Sequence, residues 1–90
     1  MNQKIRRQIE ELYEQLVEMQ EKLSSTGNVL GELRDAEQEK FNNLSEGLQA
    51  SDNGQKIEQA AACLDTATDA VESAESSLGD AIEALRDTEQ

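Results

Sequence analysis

The sequence predicts an all-α fold: an antiparallel, coiled-coil-like helical hairpin that associates into a four-helix or larger bundle. Three observations carry this. From Ile57 to Leu85 a heptad is kept without a miss, with Ile57, Leu64, Val71, Leu78 and Leu85 in one column and Ala60, Ala67, Ala74 and Ala81 in a second. A separate heptad runs through Ile5, Ile9, Leu12, Leu16, Met19 and Leu23, and Leu30 and Leu33 keep its phase. The chain has no Pro, and Ala, Glu and Gln, which favour long helices, dominate its composition.

The elements follow in order within a single domain, 1–90, with a helix over about 3–43, a link over 44–52 and a helix over about 53–87. In the first helix, Ser24-Ser25-Thr26-Gly27-Asn28 has the composition of a turn. A loop would be free to reset the register, yet Leu23 to Leu30 is one heptad, so the spacing predicts a single helix softened by Gly27 and Gly31. Past Leu33 the heptad fails, and Phe41 and Leu44 fall 11 residues after Leu30 and Leu33, a four-residue stutter. In the link, Leu44 and Leu48 are apolar anchors expected to plug the end of the hairpin. Ser51 or Asp52 is the expected N-cap of the second helix, and Asp52 with Gln55 suits a capping box.

The second helix defines the expected seam: Ala60, Leu64, Ala67, Val71, Ala74, Leu78, Ala81 and Leu85. Alanine in every heptad removes the bulk that normally holds helices ~8–10 Å apart. A third column, Cys63, Ala70, Ser77 and Ala84, is also small, so this helix is expected to touch more than one neighbour. Two helices alone bury one stripe each, and the simplest association is a homodimer. Cys63, the only cysteine, reads as a small apolar filler in a reducing cytoplasm.

Net charge is −12, unevenly spread. Residues 1–45 carry 9 acids and 6 bases, and residues 46–90 carry 11 acids and 2 bases. Such acidity disfavours direct binding of nucleic acid or anionic membrane. No apolar run is long enough to span a bilayer and no signal peptide is seen, so a cytoplasmic location is expected.

There is no His, no activated nucleophile, no phosphate-binding glycine loop and no Cys/His metal set. The expectation is a non-enzymatic protein without cofactor or metal. Two clusters remain as binding candidates. Lys4, Arg6, Arg7 and Arg34 could meet phosphates of a small nucleotide, with Tyr13 stacking on its base. Asp65, Asp69, Glu72, Asp80 and Glu83 form an acidic face suited to a basic partner.

The stretch Phe41-Asn42-Asn43-Leu44-Ser45-Glu46-Gly47-Leu48-Gln49-Ala50-Ser51, followed by the Ala/Leu heptad, resembles a group of small acidic helical-hairpin proteins encoded by bacteriophages and prophages. In these a link of the form F-x-N-L-P-E-x-L-Q-x-S joins a Glu/Lys-rich helix to an Ala/Leu-rich one. Here Ser45 stands for the proline and Gly47 for a bulkier residue, which leaves the turn less rigid. The resemblance implies a phage origin, a host bacterial cytoplasm and the hairpin fold, but no particular activity. Phages encode small proteins that blunt host defence. The expected function is therefore that of an oligomeric helical binding protein which binds itself and a host protein. The alternatives are a sponge for a nucleotide immune signal and an acidic nucleic-acid mimic that inhibits a host protein.

Overall fold

The computed structural model describes residues 2–88. It contains α1 (Gln3–Asn42), α2 (Glu46–Gln49) and α3 (Asp52–Asp87). The two long helices run antiparallel as an elongated hairpin of 68 × 16 × 14 Å. No strand is present among the described residues.

α1 begins at Asn2, whose side-chain oxygen accepts from the Ile5 N–H at 2.9 Å. It then continues without a break through Ser24–Asn28 to Asn42, and no glycine among the described residues has a positive φ. Phase wins over local composition here because Gly27 lies in the seam. A Cβ at Gly27 would meet Val71 Cγ1 at 3.3 Å. The glycine lets α3 come close, and that contact holds a stretch whose own helix propensity is low.

The link is more structured than its sequence suggests. Ser45 caps the short helix α2 by accepting from the Leu48 N–H. Ser51, rather than Asp52, caps α3 and accepts from the Gly54 N–H at 3.1 Å. The expected capping box does not form: the Gln55 side chain donates instead to the Gln49 carbonyl at 3.1 Å. Leu44 is half-buried, but Leu48 is 55% exposed and does not plug the hairpin. Gly54 fills that role by absence of a side chain, being buried beneath the Leu48–Gln49 backbone.

The seam of α3 is rotated from the expected one. Leu64, Val71, Leu78 and Leu85 are half-buried, as the heptad requires. Their companions are Ala61, Thr68, Glu75 and Ile82, not the alanine column. Ala60 and Ala67 are half-buried at the edge, while Ala74 and Ala81 are exposed. Two helices can face each other along only one direction. Turning toward the column four residues after each leucine buries Ile82, which gains more than burying alanine. Thr68 is carried inside as well, and its hydroxyl donates to the Leu64 carbonyl at 2.7 Å, so among the described residues no buried side-chain nitrogen or oxygen lacks a partner. The Cys63, Ala70, Ser77 and Ala84 column is exposed, which corrects the buried-filler reading of Cys63.

Facing α3, α1 presents Ile9, Leu16, Leu23 and Leu30 alternating with Tyr13, Gln20, Gly27 and Arg34, all half-buried. Gln20 reaches across to donate to the Glu75 carbonyl at 3.2 Å. The room for it comes from Gly79, where a Cβ would lie 3.1 Å from Gln20 Nε2. The buried apolar core among the described residues is small, consisting of Ala61 and Ile82.

Candidate interaction surface

With Leu16 and Leu64 placed at position a of their heptads, the hairpin seam uses positions a and e of both helices. The two broad sides of the hairpin then differ in chemistry.

One side is polar. Arg34, at an e position, donates through Nη1 to Asp65 Oδ1 at 3.2 Å and through Nε to Asp35 Oδ1 at 3.1 Å. Its guanidinium pKa is raised above the ordinary value, first by the Asp35 hydrogen bond; desolvation opposes the rise, and the charge of Asp35, the Asp65 hydrogen bond and the charge of Asp65 add to it. Further along, Ile9, Glu10, Tyr13, Glu14, Leu85 and Arg86 line a shallow cleft of about 230 Å³. Tyr13 thus has a basic neighbour, Arg86, that the sequence reading did not bring to it, together with two acids.

The basic candidates are not assembled within one chain. Lys4, Arg6 and Arg7 are exposed on the first turns of α1. Arg34 lies on the same continuous helix about 40 Å away, at ~1.5 Å per residue, and is already paired with two carboxylates. The acidic candidates Asp65, Asp69, Glu72, Asp80 and Glu83 are all exposed along α3, and Asp65 is the member bound to Arg34.

The other side is apolar and free of acids. Position d of α1 reads Ile5, Leu12, Met19, Thr26, Leu33 and Lys40, and position d of α3 reads Asn53, Ala60, Ala67, Ala74 and Ala81. Because the helices are antiparallel and both seams use a and e, both d columns fall on the same side of the hairpin. Ile5, Leu12, Met19 and Leu33 are 42%, 50%, 50% and 49% exposed. Position g forms the two outer edges: Gln8, Gln15, Lys22, Val29 and Ala36 on α1, and Lys56, Cys63, Ala70, Ser77 and Ala84 on α3. Of the 20 acidic residues, none occupies a d or g position of either long helix. The acids of the two long helices fall at b, c and f, apart from Glu37 at a and Glu75 at e.

No protein-family model, curated protein or solved structure matches the chain. Among the described residues, no helix is long and apolar enough to cross a membrane, and no group of His, Cys, Asp and Glu is arranged to hold a metal ion.

Proposed function

We propose that this chain is a non-enzymatic binding protein whose working form is a self-associated helical bundle, of phage origin, acting in a host bacterial cytoplasm against a host protein. The observation that carries self-association is unburied surface. The chain exposes 6594 Å². A compact monomer of its 9.9 kDa exposes about 5,200 Å². The excess, about 1,400 Å², is of the size that association buries. The radius of gyration is 20.0 Å, against ~12 Å for a compact chain of this length. Phage origin rests on the resemblance of the link, and action on a host protein rests on what such phage proteins do.

A second reading is favoured by the segregation of charge. A bundle joined through its acid-free sides keeps Asp65, Asp69, Glu72, Asp80 and Glu83 outside, where they can meet a basic cleft as nucleic acid does. The nucleotide-sponge reading needs Lys4, Arg6, Arg7 and Tyr13 from more than one chain, and it must compete with Asp35 and Asp65 for Arg34.

Native mass spectrometry of the protein purified from bacteria tests the association, since it reports copy number and retained ligand together. Two variants then divide the readings. One carries Asn or Gln at the five acids, and the other carries Gln at Lys4, Arg6 and Arg7. Each is scored for protection of phage on defended hosts. Loss confined to the acid-face variant supports mimicry, and loss confined to the basic variant, with nucleotide binding by the parent, supports the sponge. A monomeric parent would remove the bundle from the proposal.

A further inference from the structure

We propose that the acid-free d/g side is the contact between two copies of this chain, related by a twofold axis parallel to the hairpin, so that α1 of each copy lies on α3 of the other. This rests on the self-association reading above and adds the surface, the pairing and the register.

Charge chooses the surface. Each copy carries a net charge of −12, and bringing two such chains together is opposed by repulsion wherever acids meet. Only the d/g side lets them meet without facing acids, and its charged residues are Lys22, Lys40 and Lys56. Area agrees. From Ile5 to Leu33 the side runs ~42 Å along α1, across a hairpin 16 Å wide. The footprint is about 670 Å² per copy, or about 1,300 Å² for the pair, within the range of specific interfaces.

Size chooses the pairing. Large exposed side chains stand on α1 and small ones on α3. An axis along the hairpin sets each large column on a small one and keeps the two layers evenly spaced. An axis across the hairpin would set Leu and Met on Leu and Met, and alanine on alanine, leaving one half overfilled and the other gapped. Both axes make every neighbouring helix pair antiparallel, so side-chain size rather than the helix dipoles decides between them.

Height fixes the register. Arg34 stands beside Asp65 and Gln20 beside Gly79, so each residue up α1 is one residue down α3. Rotation about an axis along the hairpin preserves height. Met19 therefore meets the partner's Ala81, and Leu33 meets the partner's Ala67, each to within about one residue, ~1.5 Å. At the rim, Ala36 lies level with the partner's Cys63. Within a single chain Ala36 and Cys63 occupy opposite outer edges of the hairpin, farther apart than the ~7 Å between Cα atoms that a disulfide tolerates.

That last pair makes the test. Ala36→Cys, with native Cys63, is oxidised mildly with diamide and run on a non-reducing gel. The expected result is a covalent dimer, reversed by thiol, for Ala36→Cys. The parent is expected to stay single, and so is Ser25→Cys, which stands about 11 residues, ~16 Å, from the height of the partner's Cys63. In parallel, sedimentation analysis compares the parent, the triple variant Leu12→Glu/Met19→Glu/Leu33→Glu, and a control with the same added charge elsewhere, Ser25→Glu/Asn28→Glu/Gln38→Glu. Two copies for the parent and the control, and one for the triple variant, support the proposal. A parent dimer without the Ala36→Cys cross-link, or one that survives the triple variant, overturns this pairing and leaves self-association standing. A parent that is monomeric at its highest soluble concentration overturns both. A different polypeptide that co-purifies with the parent and is lost from the triple variant overturns the second copy as occupant.

Discussion

Replacing Gly54 by alanine tests how the hairpin turns. Gly54 is the third residue of α3 and is buried under the link. An added Cβ would lie 2.6 Å from the Gln49 carbonyl oxygen, 2.9 Å from its carbon, and closer still to the Leu48 carbonyl oxygen. All three atoms are backbone, and the segment holding them is fixed from several sides. The Gln49 N–H donates to the Ser45 carbonyl at 2.8 Å, the Gln49 side chain donates to the Phe41 carbonyl at 3.0 Å, and Gln55 donates to Gln49. The link cannot shift without straining these bonds and the Ser51 cap. Overpacking costs ~1–3 kcal/mol, and a weakened cap adds up to ~1 kcal/mol. Alanine's better helix propensity returns up to ~1 kcal/mol. The expected net loss is about 2 kcal/mol, or a fall in Tm of roughly 8–16 °C for a domain of this size. Gly47→Ala is the matched control. Nothing lies within 4 Å of its Cβ, so fewer unfolded conformations should make it stabilising by ~0.4–1 kcal/mol. Melts followed by circular dichroism at 222 nm, at equal protein concentration, compare the two. A Gly54→Ala protein that melts at or above the parent would refute the close passage of the link over α3.

Three further outcomes are expected. Ala74 is exposed in the hairpin, so Ala74→Leu should leave a single chain unaffected but overpack the paired bundle by ~1–3 kcal/mol; melts at two concentrations, with light scattering, show whether the loss tracks association. Gly27→Ala gains up to ~1 kcal/mol of helix propensity, but its Cβ meets the stiff Val71 Cγ1 at 3.3 Å. The change in urea midpoint should therefore be smaller than for Gly47→Ala, and a larger gain would show that α3 stands farther away. Finally, like-charged copies associate better when screened. Raising salt from 0.01 to 0.15 M shortens the Debye length from ~30 to ~8 Å and should tighten the dimer by sedimentation, whereas weakening would mean that charge pairs hold it.

The all-helical hairpin was legible in the sequence because periodicity is a property of the chain alone. Leucine columns repeating every seven residues define a helix and its apolar stripe whatever lies opposite, and phase across Ser24–Asn28 decided for one continuous α1 against local composition. Pairing depends on two helices at once, and the tertiary structure decided it. The a/d stripe of α3 includes Ala74 and Ala81, yet α3 turns toward Thr68 and Ile82 and leaves those alanines outside. The same rotation on α1 exposes Leu12, Met19 and Leu33 while Tyr13, Gln20 and Arg34 move inward. Heptad spacing cannot distinguish a stripe buried within the chain from one left for another copy, because both obey the same period. The Arg34–Asp65 pair and the passage of the link over Gly54 join residues remote in sequence or folded by the link. Only the antiparallel register and the path of the backbone bring those groups within reach.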